Sequence, residues 1–144
     1  MFDFENQLKA LRKSKGITQK QLASAIGASE RGIQQYELGE RKPTYDMLIA
    51  LANYFDVPLD YLTGRGIFAE WDKVIENKEK ILSALSKSLS SQNLPLINPE
   101  FIQKIVEDED LLMRVMYAAV DSIEFNGREI IIVLKGFPND SKQH

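Results

Sequence analysis

Cysteine is absent from the 144 residues, which excludes disulfide staples, thiolate metal sites and a thiol nucleophile. Histidine occurs once, as His144, so neither an imidazole metal cluster nor a Ser-His-Asp triad can be assembled. Long hydrophobic runs are lacking too. The longest unbroken aliphatic stretch, Ile130 to Leu134, is far too short to cross a bilayer. The opening residues, Met1-Phe2-Asp3-Phe4-Glu5, hold no basic stretch and no apolar run follows, so no signal peptide is expected. What remains is ample for a core: 44% of residues are hydrophobic and 27% charged, unlike a disordered segment. The length suits one ordinary domain or two small ones. The expectation is a cytoplasmic protein that is not an enzyme and uses no metal or cofactor.

The net charge of −3 conceals an uneven distribution. Residues 1–66 hold nine Lys/Arg and eight Asp/Glu, whereas residues 67–144 hold nine and thirteen. The first half is therefore net +1 and the second −4. Lys9, Arg12, Lys13, Lys15 and Lys20 cluster, and Arg41-Lys42 form a second basic pair. A local basic face can meet phosphates even when the whole chain is acidic. By itself, though, such a cluster is equally a solvated helix face.

Short helices with frequent punctuation are predicted for the first half. Phe4, Leu8 and Leu11 recur at helical spacing, and Gly16 ends that helix. Thr18 is placed to cap a helix over Gln19 to Ile26, which Gly27 closes. Ser29 caps the next, where Ile33 and Tyr36 form an apolar i, i+3 pair before Gly39. Pro43-Thr44 opens a fourth helix with an apolar stripe from Met47 to Phe55, and a fifth spans Leu59 to Leu62 before Gly64. Linkers this short imply a five-helix bundle.

Residues 65–67 are the expected hinge. Beyond them Trp71, Ile75, Lys78, Leu82, Leu85 and Leu89 follow a 4-3-4-3-4 spacing, predicting one long helix with a seam for another helix. The loop with Pro95 and Pro99 precedes a second helix bearing Phe101, Ile105, Leu112, Val115 and Val120 on one side. Asn126-Gly127, between Ile123-Glu124-Phe125 and Glu129 to Leu134, is a strong hairpin signal, with a third helix as the alternative. Residues 139–144 read as a polar tail.

The stretch Ile17 to Pro43 carries the motif. Two helices crossing steeply need a small residue at their contact, supplied by Ala23, and a left-handed turn four residues on, supplied by Gly27. Leu22, Ile26, Ala28, Ile33 and Tyr36 are then the positions that must be apolar to lock the pair, and all of them are. In this register, with Glu37-Leu38-Gly39, Arg41-Lys42-Pro43 and Val57 to Leu62 downstream, the chain resembles the helix-turn-helix of the lambdoid phage-repressor (Xre-like) family over residues 4–64. The resemblance implies a mainly α fold. Residues 1–64 would be a five-helix repressor-type DNA-binding domain, and residues 68–138 a small helical domain for dimerisation or partner binding, with or without a terminal β-hairpin.

A recognition helix from Ser29 to Glu37 would enter the major groove. Its long polar side chains, Glu30, Arg31, Gln34 and Gln35, are the candidate base contacts. Arg31 can fork onto guanine O6/N7 and Gln35 can pair with adenine N6/N7. Glu30 either reads cytosine N4 or only compensates the helix dipole, and Gln34 either reads a base or is merely solvated. Gly32, an unfavourable residue inside a helix, would let the backbone sit deeper in the groove or is tolerated by packing. Gln19, Ser29, Arg41 and Lys42 are the candidate phosphate contacts. Lys9, Lys13 and Lys15 read as solvated or steering charges. The resemblance further implies a structural ion pair between Arg12 and Glu37.

One helix-turn-helix reads few base pairs, so double-stranded operator half-sites and a homodimer or higher assembly are the expected partners. Trp71, Ile75, Leu82, Leu85, Leu89, Ile105, Leu112 and Val115 are the expected dimer contacts, with the core of a small monomeric domain as the other reading. Larger phage repressors carry a self-cleaving serine protease domain. The 78 residues after Gly66, with Ser86 and Lys87 adjacent on a helix, imply none. Inactivation would then fall to an antirepressor, a ligand or an outside protease. The competing function is an antitoxin-type autoregulator whose C-terminal part neutralises a toxin-like partner. Glu107, Asp108, Glu109 and Asp110, as consecutive helical residues pointing different ways, read as a solvated acidic turn rather than a metal site.

Overall fold

In the computed structural model, which describes residues 3–90 and 98–136, the chain divides into two units after Ala69. Five helices build the first: α1 (Phe4–Ser14), α2 (Gln19–Ile26), α3 (Glu30–Glu37), α4 (Tyr45–Phe55) and α5 (Leu59–Thr63). Each boundary has a local cause. Asp3, Thr18, Ser29 and Thr44 cap α1 to α4 by accepting the N–H three residues on. At α2 the cap is reciprocal: Thr18 Oγ1 accepts from Gln21 N at 3.1 Å, and Gln21 Oε1 accepts from Thr18 N at 2.9 Å. Gly27 closes α2 at φ 71°, a left-handed conformation. Nothing lies within 4 Å of where its Cβ would be, so Gly27→Ala pays only backbone strain. We expect a loss of about 1–2 kcal/mol in urea unfolding.

The core of this unit takes one fully buried side chain from every helix: Leu8, Leu22, Ile33, Leu51 and Leu62. Burying each contributes about 1.5–3 kcal/mol. Ala23, at the α2–α3 crossing, is 3% exposed, as its small size requires. Gly66–Phe68, in the stretch expected as a hinge, forms a 3-10 turn whose Phe68 is buried edge-on against Tyr61 at 5.2 Å.

The second unit contains α6 (Trp71–Glu76), α7 (Lys78–Ser90), α8 (Pro99–Glu107), α9 (Glu109–Ala119) and the hairpin β1 (Val120–Asn126) and β2 (Glu129–Leu134). Two expectations need correction. The long helix from Trp71 to Leu89 is broken at Asn77, whose backbone leaves helical geometry and whose side-chain amide donates to Lys73 O at 2.9 Å. The break removes the continuous seam and brings Ile81 into the core beside Leu82 and Leu85. The second long helix is also two, because Asp108 takes an extended backbone (φ −118°) and caps α9 by accepting from Leu111 N at 3.1 Å. The acidic run 107–110 is therefore a helix junction and not four consecutive helical positions.

The strand reading of residues 123–134 is the one realised, and β1 begins earlier, at Val120, which the apolar spacing assigns to the preceding helix but whose backbone is extended. β1 and β2 pair antiparallel, with Ile123 opposite Ile132 and Phe125 opposite Ile130, and Gly127 turns the chain at φ 60°. Residues 91–97, which include Pro95, the tail 139–144 and the side chain of Leu89 lie outside the described residues. No helix among the described residues is long and apolar enough to cross a membrane.

Candidate nucleic-acid interface

Helix α3 sorts its residues by helical period. Gly32, Ile33, Tyr36 and Glu37 are buried, whereas Glu30, Arg31 and Gln34 are exposed and Gln35 half-exposed. The outward residues line a shallow concave surface together with Leu38 and Glu40. Leu38 was not singled out from sequence, and it is 62% exposed immediately after the helix. Its only sequence signal is its place at the end of the motif, one step beyond the buried pair Tyr36-Glu37.

Gly32 has a different explanation from either sequence reading. It stands in the first turn of α3, and its N–H donates to the capping Ser29 Oγ at 3.0 Å. A Cβ there would lie 3.1 Å from that same oxygen, so the bare position gives the cap room. The residue is buried and does not face outward, which removes the idea of a deeper approach to a groove.

The orientation of α3 is held by a polar network beneath it. Arg12 Nε donates to Glu37 Oε1 at 2.6 Å and Arg12 Nη2 to Glu37 Oε2 at 3.1 Å, a two-point pair. Arg12 Nη1 also donates to Ile17 O at 2.9 Å, and Gln19 Nε2 to Glu37 Oε2 at 2.8 Å. Thus α1, the turn before α2, α2 and α3 meet at one carboxylate. The Arg12 and Glu37 side chains are 13% and 3% exposed. Burial pushes the Glu37 carboxyl up, but hydrogen bonds from Arg12 and Gln19, with the charges of Arg12 and Lys9, outweigh it and hold the group below its ordinary value. The bond from Gln19, a candidate phosphate contact, spans eighteen residues and was not readable from sequence.

The other candidate phosphate groups flank α3, with Ser29 at its N-terminus and Arg41 and Lys42 beyond its C-terminus. Arg41 and Lys42 are exposed on the loop between α3 and α4, and neither side chain has an ion pair among the described residues. That loop is anchored by Glu40 N donating to Gln35 O at 3.0 Å. Ser29 is exposed, and its oxygen serves the cap while its hydroxyl proton remains free to donate. Lys15, read as a steering charge, instead donates to Tyr54 O at 3.0 Å and lies 4.0 Å over the Tyr54 ring.

The residues expected at a dimer contact belong to the second unit and are mostly unavailable. Trp71, Leu82, Leu85, Ile105 and Leu112 are buried within a single copy, and Ile75 and Val115 are half-buried. Trp71 also donates through Nε1 to Glu109 Oε1 at 3.3 Å. The apolar stripes form a core inside one chain, because the breaks at Asn77 and Asp108 let four short helices fold against one another.

The Helix-turn-helix family model matches residues 8–62. An uncharacterised HTH-type transcriptional regulator of Bacillus subtilis, YqaE, is 35% identical over 96 residues, covering 63% of this chain and 83% of that protein. The chain belongs to the helix-turn-helix transcriptional regulators. This is a DNA-binding family of the Xre-like type and not an enzymatic one. The HTH-type transcriptional regulator ImmR of B. subtilis is 28% identical over 136 residues, 94% of this chain and 89% of its own. The cryptic phage CTXphi transcriptional repressor RstR of Vibrio cholerae is 36% identical over 76 residues, 53% of this chain and 64% of that repressor. Similarity to ImmR thus runs through both units, whereas the family match is confined to the first.

Proposed function

We propose that this regulator is a sequence-specific repressor that binds a palindromic operator as a dimer, with α3 lying in the major groove. The observation that carries the reading is the two-sidedness of α3. Its inner side, Gly32, Ile33, Tyr36 and Glu37, is buried with Glu37 held by Arg12 and Gln19, while Glu30 and Arg31 project outward without ion-pair partners among the described residues and Gln34 is exposed beside them. Arg31 and Gln35 can make two-point contacts to guanine and adenine, and Glu30 and Gln34 flank them. Leu38 adds an apolar tip suited to a thymine methyl. Arg41 and Lys42 with the Ser29 hydroxyl supply phosphate contacts that set register. Gln19 keeps its free backbone N–H at the start of α2 for the same purpose, its side chain being held by Glu37. The acidic second unit is better suited to assembly than to DNA.

Selection of duplexes from a random pool tests this directly. The expected product is an inverted repeat with half-sites about 34 Å apart, one helical turn. Enrichment of an asymmetric motif would reject the palindrome, and no enrichment would reject sequence-specific binding. Lys42→Ala should weaken selected and random duplexes alike and reduce the salt slope by about one per copy, about two for the dimer. Salt titrations of both duplex types check it.

A further inference from the structure

The hairpin of the second unit has one guarded edge and one open edge. β1 carries Asp121 and Glu124 and is interrupted by a register shift between Val120 and Ser122, the devices that keep a strand from pairing further. β2 has neither. From Ile130 to Leu134 it is apolar on both faces, as strands covered on both faces are, and no charge interrupts its edge there. Lys135 N donates inward to Ala119 O at 3.0 Å, so the period of two turns the N–H and C=O groups of Leu134, Ile132 and Ile130 outward. Among the described residues no strand pairs with them. Those three residues border a concavity completed by Ala84 and Leu85 of α7.

We propose that the β2 edge pairs antiparallel with β2 of a second copy, giving a continuous four-stranded sheet across a two-fold axis. This rests on the dimer reading above and names its contact. A two-fold axis normal to the sheet preserves its faces, so residues facing each other must share a face and their numbers must sum to an even value. Two registers centre the overlap, on Ile131 or on Ile132. Charge selects the second. It sets Ile132 against itself, Ile130 against Leu134, and Glu129 against Lys135 of the second copy, twice by symmetry. Centring on Ile131 would set Glu129 against Val133. Glu129 is exposed without an ion pair among the described residues, and Lys135 donates to Tyr117 O, leaving two ammonium N–H donors. The second copy's Ile130, Ile132 and Leu134 would extend the apolar face bordering the concavity.

The absence of cysteine makes the test clean, because a single introduced thiol is the only one. In full-length protein, Ile132→Cys should oxidise to a covalent homodimer, since hydrogen-bonded antiparallel partners stand about 5.5 Å apart at Cα, within disulfide reach. Ile131→Cys should stay uncrosslinked, its counterpart being two positions along the strand. Glu129→Lys and Lys135→Glu should each weaken dimerisation roughly ten-fold in sedimentation equilibrium, and the double exchange should restore it. A dimeric wild type whose Ile132→Cys variant fails to crosslink, or crosslinks no better than Ile131→Cys, overturns this contact and leaves the dimer reading intact. So does a thiol at position 132 that forms mixed disulfides with another protein but never with a second copy. A wild type monomeric with and without operator overturns the dimer reading and this inference together.

Discussion

Glu37→Ala should cost the helix-turn-helix unit about 3–5 kcal/mol, the penalty for breaking a buried pair and stranding its partner. Arg12 would keep its charge at a site where its side chain is only 13% exposed, retaining the Ile17 carbonyl but losing both carboxylate oxygens. Gln19 would lose its acceptor as well. Against a typical domain stability of about 5–15 kcal/mol this is a large fraction. Urea unfolding followed by circular dichroism reads the loss. Trp71, the single tryptophan, reports by fluorescence on the second unit. A circular-dichroism transition within about 1 kcal/mol of wild type would show that the network contributes little.

The same residue fixes a pH dependence. The folded-state Glu37 carboxyl lies below its ordinary value, so its contribution is fully present above the unfolded value, about 4.3, and is lost as pH falls through the folded one. Glu37→Gln removes that titration. Wild type and variant should therefore differ most above about pH 5 and converge in acid. Parallel curves down to pH 2 would place the acid sensitivity elsewhere.

Arg31→Ala should have the largest effect on binding. A two-point arginine contact to guanine discriminates by about 1–3 kcal/mol, and a two-fold complex loses it at both half-sites, about 2–6 kcal/mol in all. Random duplexes should lose only the contribution of one charge per copy. Arg31→Lys preserves charge but not the fork, so it should match alanine in lost specificity while keeping more non-specific affinity. Competition titrations of the selected operator, its single-base variants and random duplex measure both quantities. An equal loss for operator and random sequence would assign Arg31 to phosphate.

Legibility in the sequence followed the range of the interaction. The caps at Thr18 and Ser29 and the left-handed turn at Gly27 act over three or four residues, so residue identity and spacing located them. The Arg12–Glu37 pair spans twenty-five residues and was accessible only through family resemblance. Gln19 illustrates the limit: its position at the start of α2 was legible, its bond to Glu37 was not. In the second unit the apolar spacing continues across both Asn77 and Asp108, so periodicity alone extends each helix through its break. An asparagine or aspartate can solvate, cap or interrupt a helix, and the surrounding packing decides which.

Residue order alone determined the helix-turn-helix and the outward polar row on α3, because each depends on neighbours within one or two turns of chain, whereas it left residues 123–134 open between a hairpin and a helix. Tertiary structure decided what covers the apolar stripes of the second unit. A stripe of Trp71, Leu82 and Leu85 specifies only that water must be excluded, and hydrophobic burial has no direction that distinguishes the same chain from another. Short helices folding back supplied that cover within one copy, and the contact proposed for a second copy is the β2 edge, whose directional hydrogen-bonding groups a strand can pair.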